Sequence, residues 1–290
     1  PTADTTAVPR VSVVEAYLAR NGMFAPGVGD PRRFDEMTGP DGDLLPGWAE
    51  LAVEIEALGD SGLAALTGHV DRLLEDDGVT YTPVDATSGR PETVPTGPEH
   101  WRVDPLPLVV ADADWNRLEA GLVQRSTLLD AVLTDVYGPG KLIEHGLLPG
   151  ELIYRHPDYL RPAHGITIPG AHQLFFHALD VCRDVDGSFQ ALGDRTQAPS
   201  GAGYAMADRR AVSKVLPELF RRTAPRGLSA FFHTMRSALA SVAPSESEDP
   251  RVVVLTPGTH SETAFDQAML ASLLGAPLVE SADLTIRRGR

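Results

Sequence analysis

Asp194-Arg195-Thr196-Gln197-Ala198-Pro199-Ser200-Gly201-Ala202-Gly203-Tyr204 is the most unusual stretch of this chain. What precedes it decides how it is held. Residues 172–180 are apolar and aromatic, Val185-Asp186-Gly187-Ser188 is turn-forming, and Phe189-Gln190-Ala191-Leu192 is a second run. Two such runs joined by Asp-Gly predict a β-hairpin, because this pair tolerates the positive φ of a tight reversal. The polar loop after the hairpin carries glycines at 201 and 203, which let a backbone come close to a ligand. Its amides predict a phosphate or substrate contact at Ser200, Gly201 and Gly203, and Arg195 adds positive charge. The alternative is a long surface turn. Ser-Gly-x-Gly is not a Walker loop, since no Gly-Lys-Ser/Thr follows.

Asp180 lies before the turn, Arg183 beside it, and Asp194 after the second strand. Antiparallel pairing predicts that Asp180 and Asp194 meet at one end of two neighbouring strands, with Arg183 near. Two carboxylates there would suit Mg²⁺, a hard ion that takes oxygen ligands. Against this stands a pair of solvated acids closing a hairpin.

Outward from the hairpin, apolar spacing predicts a helix over residues 115–136, opened by Asp112-Ala113-Asp114 as a cap and stopped by Tyr137-Gly138-Pro139-Gly140. Residues 141–145 read as a short helix, and residues 165–168 as a loop leading into a strand. Upstream, residues 11–20, 46–66 and 63–74 read as helical, residues 80–84 as a short strand, and residues 87–100 as a linker. Downstream, helices are expected over residues 208–221 and 228–242, then a charged connector over 244–250. Residues 251–255 form a buried-type strand, 264–274 a helix stopped by Gly275, and 277–280 a second strand. Strand, helix and strand in this order make a βαβ unit. The loop Thr256-Pro257-Gly258 before that helix is a further anion candidate, with a plain connection as the alternative. The alternating residues 284–290 predict a strand running into a turn. The chain is then expected to carry the front part of a larger fold.

The expected fold class is therefore α+β, in three stretches: a helical and loop-rich segment over residues 1–100, a core with the hairpin and loop over 101–245, and the βαβ subdomain over 246–290.

The chain has 290 residues, 42% hydrophobic and 22% charged, an ordinary globular balance. Its net charge of -15 speaks against a phosphate-backbone partner, so nucleic acid is not expected. The single cysteine, Cys182, excludes an internal disulfide and a thiolate zinc site, and its apolar neighbours predict a core position. No stretch of about 18 apolar residues predicts a membrane span, and residues 1–10 do not form a signal peptide. A cytoplasmic protein is expected. The nine histidines show no HExxH-like spacing.

Several motifs recur in a specific order. They are Phe34-Asp35-Glu36-Met37 with Asp41-Gly42 and Trp48; Gln124-Arg125, Leu128-Leu129, Asp135-Val136-Tyr137-Gly138 and Gly146-Leu147-Leu148-Pro149; Asp180-Val181-Cys182-Arg183-Asp184; the 194–205 stretch; Asp208-Arg209; and Leu255-Thr256-Pro257-Gly258 with Glu262, Gly275 and Leu278-Val279-Glu280. In this order they resemble the circularly permuted type 2 ATP-grasp proteins, relatives of glutathionylspermidine synthase, over nearly the whole chain. The resemblance implies an ATP-grasp-like fold, circularly permuted and incomplete, whose βαβ subdomain is pre-ATP-grasp-like. It implies ATP and Mg²⁺ as cofactors, and small-molecule or peptide carboxylates and amines as substrates of an amide-forming ligase that works through an acyl-phosphate. It implies catalytic roles for Arg183 and Arg195, nucleotide contacts for Ser200, Gly201, Gly203 and Arg209, and metal ligation by Asp180 and Asp194. Gly193, Arg195 and Ala207-Asp208-Arg209 depart from the glutathionylspermidine synthase pattern, which has Glu, Asn and Glu-Asn-Arg there. These departures favour the rival expectation, a non-catalytic scaffold that binds a peptide or protein.

Overall fold

A computed structural model describes residues 12–23, 34–39, 42–83, 97–243 and 250–287. The expectations for residues 1–10, for 87–96 and for the connector 244–249 lie outside the described residues, as does the tail 288–290.

Helix α1 (Val13–Met23) and the long α2 (Ala49–Asp76) form where apolar spacing predicts helix, and the two expected segments of α2 are one element kinked at Gly59. Gly59 sits at φ 60°, a conformation glycine adopts without a Cβ clash. The strand β1 (Thr80–Tyr81) pairs antiparallel with β2 (Glu99–His100), which falls inside the stretch expected to be a linker. Tyr81 and Trp101 pack edge to face beside this pairing, so packing rather than propensity makes the strand.

Helix α3 (Asp112–Val136) starts at Ala111, without a side-chain cap; Asp112 and Asp114 sit in its first turn, where the helix dipole still favours negative charge. Short helices α4 (Lys141–Glu144) and α5 (Gly150–Tyr154) follow. Residues 165–168 do not lead directly into a strand; β3 begins only at Ala178. The hairpin of β3 (Ala178–Arg183) and β4 (Phe189–Arg195) turns at Gly187, φ 82°.

Helix α6 (Ala202–Val215) begins inside the expected polar loop and breaks before Pro217, which opens α7 (Pro217–Thr223). Helix α8 (Ser229–Ser241) follows. The βαβ unit is present: β5 (Val254–Leu255), α9 (Ala264–Leu274) ending on Gly275 in the left-handed region, and β6 (Leu278–Val279), with the strands parallel. Residues 284–287 are not a strand.

Two cores run along α2. One joins Leu51, Ile55 and Leu66 to Val212, Leu216 and Leu219 of α6 and α7. The other joins Val70 and Leu74 to Tyr204, Ala207 and Ala211. Tyr204 lies flat on Trp101, ring centroids 4.3 Å apart, and against Phe265 of α9. Of α3 only Val136 is buried, so α3 and the hairpin form a thinner arm beside these cores. Among the described residues no helix is long and apolar enough to cross a membrane.

Candidate functional site

The hairpin register decides the fate of the expected carboxylate pair. From the turn, Arg183 faces Phe189 and Val181 faces Ala191, but Asp180 then faces Gly193 rather than Leu192. One extra residue, Leu192, has been inserted as a β-bulge. Because side chains alternate with period two, this single insertion moves every later residue of β4 to the other face. Asp194 thus lies opposite Leu179, on the face toward α3, whereas Asp180 lies on the other face with Cys182 and Arg195. A regular hairpin would have put both acids on one side.

Each carboxylate has its own partner. Asp180 pairs with Arg195 at 2.9 Å on the exposed face. Asp194 accepts both arms of Arg125, each at 2.6 Å, and lies 3.0 Å from Nε2 of His177. The Arg125 guanidinium, more than the imidazole, holds the Asp194 carboxyl below its ordinary range, against the opposing effect of burial. Nδ1 of His177 is 2.6 Å from Ser126 Oγ. The order Ser126, His177, Asp194 is that of a proton relay, but the imidazole is only 4% exposed and so is closed off from solvent. Asp130 secures the same arm: it accepts the amides of Gln173 and Leu174 and meets His172 at 2.9 Å. Burial works against its ionisation, yet those bonds outweigh it and lower its pKa. Helix α3 therefore grips the hairpin stem through Arg125 and Asp130.

Arg183 commits four of its five N–H donors. It donates to Glu36 and, at 2.8 Å each, to Asp114 and the carbonyl of Gly187. Its guanidinium carbon stands 4.1 Å over the Phe189 ring and 5.0 Å over Phe34. Burial alone would favour losing its charge, but the two carboxylates outweigh that and hold it more firmly protonated. Arg183 thus ties the front motif, α3 and the hairpin together.

The glycine loop is occupied as well. Asp266 of α9, 4% exposed, accepts the amides of Gly201 at 3.0 Å, Gly203 at 2.7 Å and Tyr204 at 3.1 Å. An anion does sit at the N-terminus of α6, as the dipole favours, but it is the protein's own. Gly203 is needed for contact rather than for a ligand: a Cβ there would lie 2.8 Å from Asp266. In this structure the amides of Gly201 and Gly203, expected to contact a phosphate, are met by Asp266 as an internal cap. Ser200 stays exposed beside it. The loop at Thr256 is similarly braced: Thr256 bonds Gln267 and receives the Gly258 amide.

Arg209 is elsewhere. It leans over Phe220 and donates to the Pro225 carbonyl, in a cleft between α1, α2, α6 and α7. Cys182 is exposed, not in the core, since its strand face has no layer on it. The expected magnesium site does not fit. Asp180 and Asp194 are on opposite faces, each with its own arginine, and among the described residues no group of three or more His, Cys, Asp or Glu is gathered for a metal. Sequence reasoning missed Asp266, Arg125, His177 and Asp130. Only Arg125 carried a signal, as part of the Gln124-Arg125 motif.

A model of the circularly permuted ATP-grasp type 2 family matches residues 107–290. The chain belongs to that family. The ATP-grasp match covers α3, the hairpin, the glycine loop and the βαβ unit together, the elements that the interactions above join. The chain is similar to the uncharacterized protein Rv2567 of Mycobacterium tuberculosis, 52% identical over 269 residues, covering 91% of this chain and 30% of that protein. It is similar to ML0605 of Mycobacterium leprae, 32% identical over 254 residues, 88% and 43% of the two chains. It also resembles sll0335 of Synechocystis, 33% identical over 187 residues, 64% and 39%. The chain thus spans less than half the length of each of these relatives.

Proposed function

We propose that this chain is part of an ATP-dependent carboxylate–amine ligase that forms an amide bond by way of an acyl-phosphate, with small-molecule or peptide acids and amines as substrates. Membership of the circularly permuted ATP-grasp family, whose fold is of the ATP-dependent ligase type, carries this reading. ATP, when bound, would supply the phosphoryl group that activates the carboxylate. Within this chain the hairpin presents Arg195 to solvent, 65% exposed and, among the described residues, ion-paired with the half-exposed Asp180 alone. Its remaining donors are the ones able to meet an anionic substrate or transition state. Arg183 acts through the hairpin it braces, as a positioning residue. Asp194 holds the hairpin on α3 rather than a metal.

The second reading, a non-catalytic scaffold that binds a peptide or protein, is supported by Asp266, which fills the amide cradle a phosphate would need. Hydroxylamine trapping separates the two. Full-length protein with ATP and pooled carboxylates should give hydroxamate and ADP, and Arg195→Gln should lower the yield tenfold or more. A full-length protein that binds no fluorescent ATP analogue and forms no hydroxamate is the scaffold.

A further inference from the structure

The cleft that contains Arg209 has a volume of about 730 Å³. Its walls are apolar, with Trp48, Leu63, Leu106 and Phe220 among them, yet four carboxylates line it. Two of these are committed, and another, Asp104, is exposed to solvent. Glu36 is paired with Arg183, Asp104 accepts the Leu106 amide, and Asp35 accepts the Tyr17 hydroxyl and the amides of Met37 and Thr38. Asp208 differs. Its Oδ1 accepts the Trp101 indole N–H at 2.8 Å, and among the described residues its Oδ2 has no partner. Burial raises the pKa of this carboxyl, which the indole bond only partly offsets. Among the described residues the one guanidinium in the cleft, Arg209, is turned to Phe220 and the Pro225 carbonyl and makes no ion pair with it.

A half-buried carboxylate oxygen in an apolar cleft is costly unless a donor meets it. A neutral apolar occupant would leave it unmet, and among the described residues an anion would meet Asp35, Asp104 and Asp208 against Arg209. An ammonium brings three donors and a compensating charge. We propose that this cleft binds an organic cation, with its ammonium on Asp208 and its apolar body against Trp48, Leu63 and Phe220. The assignment stands on the cleft alone and holds whether or not the protein ligates anything.

Three probes of one shape test it at pH 8 by calorimetry on the protein: 3-phenylpropylamine, 3-phenylpropan-1-ol and 3-phenylpropanoate. The amine should bind at least tenfold more tightly than the alcohol, and the acid most weakly. Asp208→Asn keeps an oxygen for the Trp101 indole and should erase the margin of amine over alcohol. Arg209→Gln, which removes the opposing charge, should widen it severalfold, and this variant decides the matter if Asp208→Asn fails to fold by circular dichroism. Equal binding of the three probes, no binding of the amine, a margin that survives Asp208→Asn, or one that does not widen in Arg209→Gln overturns the proposal.

Discussion

Asp266→Ala strips the acceptor from three amides at once. Two of them, Gly203 and Tyr204, are buried, and an unsatisfied buried amide costs about 1–3 kcal/mol. The Gly201 amide is half-buried and regains water more easily. The loss should come to about 4 kcal/mol, which for a chain of this size is a fall in Tm of about 7 °C, read by circular dichroism at 222 nm. Asp266→Asn keeps one carbonyl oxygen for Gly203 and Tyr204 and loses the charge and the Gly201 contact. It should cost about 1–2 kcal/mol, and so fall between the two. The vacated helix N-terminus should also accept an external anion, so millimolar inorganic phosphate should restore part of the Tm of Asp266→Ala and leave the wild type unmoved. An Asp266→Ala protein that melts within about 2 °C of wild type refutes the internal cap. Stabilisation of the wild type by phosphate refutes it too, since the amides would then be open.

Other outcomes follow from the same contacts. Gly193 stands opposite Asp180 with nothing within 4 Å of an added Cβ, so Gly193→Glu should fold with wild-type Tm within a few degrees. It would place two carboxylates on the Asp180 face, and Mn²⁺ binding followed by water-proton relaxation should rise above the wild type's. Arg183→Ala leaves Glu36 and Asp114 uncompensated and should cost about 3–5 kcal/mol in urea unfolding; Arg183→Lys, which cannot span both acids and the Gly187 carbonyl, should recover only a part. The Asp208 carboxyl is raised by burial, so the folded chain keeps its proton where the unfolded chain, near pH 3.9, has lost it. Its contribution to stability therefore falls as pH rises through that window, and Asp208→Asn should flatten the unfolding midpoint there, in a urea titration at several pH values. An unchanged slope contradicts that assignment.

Local signals in the sequence were enough for the hairpin and the βαβ unit. Asp186-Gly187 sits between two apolar runs, and Gly275 ends a helix between two strands. Both rest on neighbours a few residues apart. The site was less legible because its contacts are distant in sequence. Asp266 reaches back 63 residues to Gly203, Arg125 reaches 69 to Asp194, and Trp101 reaches 107 to Asp208. No pattern along the chain announces such pairs. The bulge at Leu192 is a different failure: residue types placed Asp180 and Asp194 on two adjacent strands correctly, but a shift of one residue decides which face each takes. The strand Glu99–His100 was hidden because a short polar pair becomes a strand only when Trp101 packs beside it.

The clamp on Arg183 also sets an order of events during synthesis. Glu36 is made 147 positions before the guanidinium that neutralises it. At ribosomal rates that gap is on the order of ten seconds. Through that interval Glu36 lacks the guanidinium that holds it in the folded chain, and the apolar stripe of α2 waits about as long for α6 and α7. The nascent chain therefore emerges with the face of α2 that meets α6 and α7 still uncovered, and it is at this stage, before any site exists, that chaperones would meet it.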